Sequence, residues 1–204
     1  MKNGKYFYKS IYEDNSINCF LWVNQSTSVP IYYLYSNKKY VMKHAQYYID
    51  KHKLMPHPEG GYFRELYRSK GIIPAGSVEG YNADRNFATS IYFLLQSGNK
   101  SHFHQLKSDE LWYFHIGSAL RLHCICPSGE YKQIILGSEE DSIYQITIPA
   151  GTIFGAEVIQ SNSFTLLSCM VAPGFDFNDF RLMNRDEMLN MFPYHKDVIL
   201  QFTK

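Results

Sequence analysis

Short segments rich in aromatic and β-branched residues recur between turn residues along most of this 204-residue chain. Aromatic and β-branched side chains suit a pleated, half-buried surface. Short strands at regular spacing, separated by polar turns, are typical of an antiparallel sandwich or barrel. The sequence therefore predicts an all-β fold, with strands at residues 62–68, 87–95, 111–116, 120–126, 131–136, 144–148 and 164–171.

The N-terminal region differs in composition from the rest of the chain. Residues 1–48 contain six lysines, no arginine and two acidic residues, whereas all six arginines follow residue 60. We therefore predict an extension at residues 1–41, either a strand or an irregular arm, and a main domain at residues 42–204. Two origins stay open: an addition upstream of a native start at Met42, or an arm that covers a partner's sheet edge.

Helical spacing of apolar residues occurs near the two ends of the main domain. Residues 44–53 are predicted to form a short helix, which is ended by Pro56. A second helix is predicted near residues 184–192, with Asn184 and Glu187 as a capping box at its start.

Composition excludes several functional classes. The net charge of +1 lacks the basic excess of a nucleic-acid binder. No apolar run reaches the roughly 18 residues that a membrane helix requires. The four cysteines form no CxxC pair. We therefore predict free thiols, a reducing compartment and a cytoplasmic location.

The segment that carries most chemical information runs from Gly98 to Gly117. His102 and His104 are two residues apart on a predicted strand, so alternation places both on one face, and Glu110 begins the next strand. Two chemistries fit these residues. His102, His104 and Glu110 can hold a divalent metal such as Fe, Mn, Ni or Zn, or His104 and Glu110 can act as a metal-free acid–base pair.

These residues resemble the cupin superfamily. Its first motif, a His-x-His pair followed by a Glu and a Gly, fits His102, His104, Glu110 and Gly117. Its second motif, Pro-x-Gly-x-x-His, is similar to residues 149–154, but Phe154 replaces the metal-binding His. The resemblance is strongest to the epimerase-like (RmlC-like) cupins, in the stretches 57–65, 67–69, 89–95, 108–112, 149–152 and 172–180.

The resemblance implies a double-stranded β-helix, the jelly-roll cupin barrel, with a few short flanking helices. It also implies a homodimer and a small polar metabolite bound in the barrel mouth. Alternation along 62–68 places Arg64 and Arg68 on one face, and a guanidinium suits phosphate or carboxylate groups. The predicted ligand-binding residues are Tyr62, Arg64, Trp112, Phe114 and Phe154.

Cupin membership does not identify a reaction, because one fold hosts many functions. We expect a small-molecule-binding cupin, with an isomerase or epimerase step on a sugar or sugar nucleotide as the first hypothesis. Two alternatives stay open. One is a metal-dependent enzyme of the dioxygenase type, and the other is a non-enzymatic binding or sensory module.

Overall fold

The structure is a computed structural model that describes residues 44–204 in full and, nearer the N-terminus, the backbone of strands 7–8, 17–22 and 31–36. Contacts within the chain divide it into two units, Met1–Met42 and Lys43–Lys204. The rest of the predicted extension lies outside the described residues. The division into an extension and an independent main domain stays a prediction.

Strands dominate the described part of the chain. In chain order they are β1 Phe7–Tyr8, β2 Ile17–Trp22, β3 Ile31–Ser36, β4 Met55–Pro56, β5 Tyr62–Arg68, β6 Ile72–Ile73, β7 Arg85–Asn86, β8 Thr89–Gln96, β9 Lys100–Leu106, β10 Asp109–Gly117, β11 Leu120–Ile125, β12 Tyr131–Leu136, β13 Gln145–Ile148, β14 Ile153–Val158, β15 Phe164–Ala172 and β16 Phe180–Leu182. The α-helices are α1 Ala45–His52, α2 Arg185–Met191 and α3 Lys196–Phe202. Two 3₁₀ turns span Phe177–Asp179 and Pro193–His195.

The N-terminal unit contains an antiparallel sheet of three strands in the order β1-β2-β3. The sequence predicts one or two strands or an irregular arm here. β2 and β3 are six residues each, whereas β1 has two residues. A strand of that length is too short to show alternation, which is why the sequence does not reveal it.

The main unit is built from two antiparallel sheets. One has six strands in the order β13-β10-β15-β8-β5-β4, and the other has five in the order β12-β11-β14-β9-β16. Strands from distant parts of the chain lie side by side, as in a jelly roll. The predicted all-β jelly-roll fold with a few short helices is confirmed.

The main core lies between the two sheets. Phe93, Leu95 and Trp112 come from the six-stranded sheet, and Leu122 and Phe154 come from the five-stranded sheet. All five side chains are almost fully buried. Burying a large apolar side chain stabilises a protein by about 1.5–3 kcal/mol, so this cluster is a main source of stability for the barrel.

Three strands of the barrel are interrupted by shifts in pairing register. On β5 the shift falls between Glu65 and Tyr67, on β10 it falls between Phe114 and Ile116, and β9 has one opposite Gly155 of β14. An extra residue in one strand of a pair is a β-bulge, and it reverses which residues face the interior beyond that point.

The C-terminal helices cover the outer face of the five-stranded sheet. Met188 of α2 and Phe202 of α3 pack with Phe103 of β9 in a second buried cluster. Asn184 caps α2, and its side chain accepts hydrogen bonds from the backbone N–H groups of the second and third helical residues. The chain does not end its helical structure at Pro193: a 3₁₀ turn begins there and leads into α3. Helix α1 packs on the six-stranded sheet through Ile49.

None of the helices that the structure describes is long and apolar enough to span a membrane.

Candidate functional site

A cavity of about 290 Å³ opens at one end of the barrel. Its walls come from β5, β8, β9, β10 and β15, together with residues of the turn before β5 and of the segment 175–180. Both sheets therefore contribute, as they do when a site lies in a barrel mouth. The lining combines aromatic rings with several carboxyl groups and two imidazoles.

Glu59 is brought to the cavity by a tight turn before β5. Gly60 and Gly61 both have positive φ, at 116° and 72°, which glycine adopts without strain. A Cβ atom at Gly60 would lie 2.0 Å from the carbonyl oxygen of Lys100. Glycine therefore lets this turn approach β9 closely enough for Glu59 to reach the side chains of that strand.

Both oxygens of the Glu59 carboxylate contact polar side chains. Ser101 Oγ donates to Glu59 Oε1 at 2.8 Å, while Glu59 Oε2 lies 3.3 Å from His57 Nδ1 and 3.3 Å from His104 Nε2. Burial alone raises the pKa of Glu59, but the charge of His104 and the contacts with His57 and Ser101 lower it overall. Glu59 therefore remains a carboxylate in the folded protein.

His104 has one ring nitrogen fixed and one facing the cavity. Its Nδ1 lies 2.8 Å from the carbonyl oxygen of His102, so Nδ1 carries the hydrogen. Nε2 is then the nitrogen that gains or releases a proton, and it does so beside Glu59. Burial lowers the pKa of His104, and Glu59 partly opposes this shift. The arrangement resembles an imidazole base oriented by a second group.

Glu110 is the other carboxyl group buried at the cavity. Burial, together with the charge of Glu59, raises its pKa to about 8. The Trp112 indole and the Cys169 thiol lie close enough to oppose this shift in part, yet neither Glu110 Oε2 nor Trp112 Nε1 makes a hydrogen bond of normal geometry with the described residues. Glu110 is therefore protonated at neutral pH, with an oxygen available to a ligand.

The bulge on β5 decides which arginine borders the cavity. Phe63 and Glu65 line the wall before the bulge, and Arg68 lines it afterwards. Regular alternation predicts that Arg64 and Arg68 share a face, and the register shift makes that prediction wrong. Arg64 instead donates to the carbonyl oxygen of His52 at 3.0 Å, away from the cavity lining.

The segment that borders the cavity after β15 is anchored to the barrel. Arg85 and Asp179 form a buried ion pair with N–O distances of 2.5 and 2.9 Å. At the other end of the segment, the backbone N–H of Phe175 donates to Thr89 Oγ1. These contacts fix Phe175, Phe177 and Phe180 beside the cavity.

The side chains predicted for the site fall into two groups. His104 and Glu110 line the cavity. The others lie elsewhere: Trp112 and Phe154 are in the main core with Phe114 packed against them, and Tyr62 packs near α1. Phe154 nevertheless packs against a site residue, because the centroid of its ring lies 4.1 Å from the ring centroid of His104.

His102 is separated from His104 by the bulge on β9. His102 Nδ1 lies 2.7 Å from the carbonyl oxygen of Glu59, and its ring is not among the cavity-lining groups. Instead, Ser101 and His104 both face Glu59. The expectation that the two histidines share one face is therefore wrong.

The residues present do not fit the metal site considered from sequence. Within the part of the chain that the structure describes, no group of three His, Cys, Asp or Glu side chains is arranged to hold a metal ion. His102, His104 and Glu110 are not brought together, and the Phe154 ring packs against His104.

The sequence does not predict five ionisable residues of the cavity as site residues: His57, Glu59, Glu65, Arg68 and Asp176. His57 and Glu59 were visible only as part of the stretch 57–65 that resembles epimerase-like cupins, without a role. Regular alternation along 62–68 places Glu65 on the face opposite Arg68, so it does not predict that the two side chains meet. The one signal that could have found Glu59 is its place directly before a Gly-Gly turn, since such turns allow close backbone approach.

A two-sheet jelly roll with a polar cavity at one end of the barrel belongs to the cupin class of folds. The sequence profile described as "Cupin superfamily (DUF985)" matches residues 46–183. The chain therefore belongs to this cupin family, and the predicted membership of the superfamily is confirmed. The likeness to the epimerase-like branch is consistent with this match.

Two solved structures resemble the main unit closely. A Shewanella oneidensis protein is 39% identical, with a TM-score of 0.71, and the match covers 80% of this chain and 99% of that one. A hypothetical protein from Leishmania major is 34% identical, with a TM-score of 0.72 and coverage of 79% and 99%. An uncharacterized protein of Saccharomyces cerevisiae is 28% identical over 170 residues, which is 77% of this chain and 84% of the yeast protein.

Proposed function

We propose that this cupin binds a small sugar-like metabolite and isomerises or epimerises it by metal-free acid–base chemistry. One observation carries the proposal: Glu110, a buried carboxyl whose Oε2 makes no hydrogen bond of normal geometry with the described residues, lines the same cavity as Glu59 and His104, whose Oε2 and Nε2 atoms lie 3.3 Å apart. Enzymes that move protons next to a carbonyl need such a pair, an acid and a base in different environments.

Each residue has a defined part in the reaction. His104 Nε2 removes a proton from the carbon beside the substrate carbonyl, and Glu59 stabilises the imidazolium that forms. Glu110 donates its proton to the carbonyl oxygen, so that a neutral enediol results. For isomerisation, His104 returns its proton to the neighbouring carbon and Glu110 takes back the hydroxyl proton, which restores both groups. For epimerisation, a proton from solvent reaches the same carbon from the other face, Glu110 takes back the hydroxyl proton, and His104 releases its proton to solvent.

The environments of the two carboxyls support these roles. Glu59 is ionised because it contacts two imidazoles and a hydroxyl. Glu110 lacks such contacts, and its pKa of about 8 keeps it protonated at neutral pH. A positioned acid or base contributes about 10²–10⁴-fold to a rate, which is enough to be seen in single variants.

The remaining expectations from sequence are also proposals. We propose a homodimer, which sedimentation would test. The described cysteines, Cys124, Cys126 and Cys169, are free thiols, which supports a reducing, cytoplasmic location.

Exchange of substrate hydrogen with solvent tests the proposed function. The protein would be incubated in D₂O with a panel of aldoses and ketoses, and NMR would follow deuterium entering the carbon beside the carbonyl. We expect exchange with at least one sugar. Glu110→Gln and His104→Asn should each slow exchange by about 10²-fold or more, whereas Glu140→Gln and His115→Asn make the same chemical changes at exposed positions and should not.

Two results would contradict the proposal. Binding of a sugar without any exchange would indicate a binding or sensory module. One equivalent of a transition metal in the purified protein, lost in His104→Ala, would favour the metal-dependent enzyme instead.

A further inference from the structure

We propose that the cavity is specific for an uncharged ligand of monosaccharide size and rejects phosphorylated sugars and sugar nucleotides. This inference rests on the proposed function and defines the class of its substrate. It follows from the bonding of Arg68 at the cavity wall, from the charges of the neighbouring side chains and from the size of the cavity.

Arg68 is the sole lysine or arginine among the described residues that line the cavity. Its guanidinium is fully used by the protein. Nε and Nη2 donate to the two carboxylate oxygens of Glu65 at 2.9 and 2.7 Å, and Nη1 donates to Asn86 Oδ1 at 2.8 Å. The carbonyl oxygen of Phe175 lies 3.2 and 3.3 Å from Nη1 and Nη2. Every N–H group of the fork therefore has an acceptor.

An anionic ligand would have to compete for this arginine. The fork-to-fork pairing with Glu65 is the geometry in which arginine binds phosphate, so the carboxylate occupies the place that a phosphate would take. A phosphate could enter only by displacing Glu65, which would leave that carboxylate beside it. The side chains of Arg68 and Glu65 are 40% and 39% exposed, so the pair can be reached from solvent.

The other charges of the wall also disfavour an anion. Glu59 and Asp176 line the cavity in addition to the Arg68–Glu65 pair. Like charges brought together in a partly water-excluded site repel more strongly than in bulk water. The polar group open to a ligand is Glu110, whose Oε2 makes no hydrogen bond of normal geometry with the described residues. A protonated carboxyl matches a hydroxyl or carbonyl of a neutral ligand better than it matches a charged group.

Size and wall chemistry agree with a single sugar ring. The cavity volume of about 290 Å³ lies at the lower end of the roughly 300–1,000 Å³ of small-molecule pockets. It is too small to enclose a nucleotide joined to a sugar. Phe63, Phe175 and Phe180 supply apolar surface against which the C–H face of a sugar ring can pack.

Calorimetric titration of wild type and Glu65→Gln tests the specificity. The ligands are a panel of neutral aldoses and ketoses, their phosphates, the corresponding amino sugars, and inorganic phosphate. We expect a neutral sugar to bind wild type at least about tenfold more tightly than its phosphate. Glu65→Gln removes one negative charge and frees N–H groups of Arg68, so it should narrow this preference by about tenfold and allow inorganic phosphate to bind. Glu140→Gln, the same change at an exposed site, should leave the preference unchanged.

Several results would overturn the inference. They are tighter binding of a sugar phosphate or an amino sugar than of the neutral sugar, no binding of any neutral sugar at millimolar concentration, or an unchanged preference in Glu65→Gln. These outcomes are separate from failure of the proposed function. Exchange with a bound sugar phosphate would refute the specificity and keep the reaction, whereas binding of a neutral sugar without exchange would do the reverse.

Discussion

Replacing Glu110 by glutamine should remove a pH-dependent loss of stability. Below pH 4.5 the carboxyl is protonated in both the folded and the unfolded chain, but the folded protein holds its pKa at about 8. Between these values the unfolded chain releases the proton and the folded protein does not. Stability therefore falls as the pH rises, by about 1.4 kcal/mol for each pH unit. The total, once both states are ionised above pH 8, is on the order of 5 kcal/mol.

Urea unfolding of wild type and Glu110→Gln at several pH values would measure this effect. Glutamine keeps the shape of the protonated acid but cannot ionise. We therefore expect the stability of wild type, relative to the variant, to decrease steadily from about pH 5 to about pH 8 and to level off above. The glutamine amide forms different hydrogen bonds from the acid, which changes the free energy of unfolding by the same amount at every pH. Glu140→Gln, the same substitution at an exposed position, serves as the control. A difference that does not change over this range would show that Glu110 is already ionised in the folded protein, and our account of the site would be wrong.

Three further predictions follow from the packing. Gly60→Ala should destabilise the protein by well over 1 kcal/mol, since its Cβ would lie 2.0 Å from the carbonyl oxygen of Lys100. Gly98 also has a positive φ, but the space around its Cβ position is open. Comparing the thermal unfolding of Gly60→Ala and Gly98→Ala therefore separates the steric clash from backbone strain. Arg85→Ala should cost up to about 3–5 kcal/mol, because it leaves the buried Asp179 carboxylate with Lys107, 3.5 Å away, as its one remaining ion-pair partner among the described residues. Arg121→Ala, at a more exposed pair, should cost less than about 1 kcal/mol in the same urea titration. Deleting residues 1–41 should leave a folded main domain that still unfolds in one cooperative transition on heating, and an unfolded product would disprove the proposed extension.

The strands were largely predictable because turn residues delimit them. The predicted segment 131–136 coincides with β12, and the segment 164–171 falls one residue short of β15. β14 was not predicted as a strand, because Gly155 interrupts its apolar run and weakens the signal. α3 is not predicted from the sequence for a different reason: a proline such as Pro193 commonly ends a helix, yet proline is also favoured at the first position of a helical turn, as it is here.

The cavity was less predictable than the fold, although its two central residues were found. His104 and Glu110 were recognised because they belong to a motif with fixed spacing. Glu59 comes from a turn about 45 residues earlier in the chain, and its distance from His104 is set by the approach of Gly60 to β9. Periodicity within a strand contains no information about such a contact, so residues of this kind are visible only in the folded structure.

The bulges show why alternation failed where the chemistry lies. On a regular β9, Ser101 and Phe103 would share one face and His104 the other. The bulge instead turns Ser101 and His104 to the same side, where both contact Glu59, and it leaves Phe103 to pack under the C-terminal helices. The bulge on β5 likewise places Glu65 and Arg68 together at the cavity. Two sets of contacts define the site: Ser101 and His104 with Glu59, and Glu65 with Arg68. Each set therefore depends on one extra residue in a strand. The same order of side chains fits a strand with or without such a bulge. The sequence pattern therefore predicts the fold, but it does not predict which side chains face the cavity.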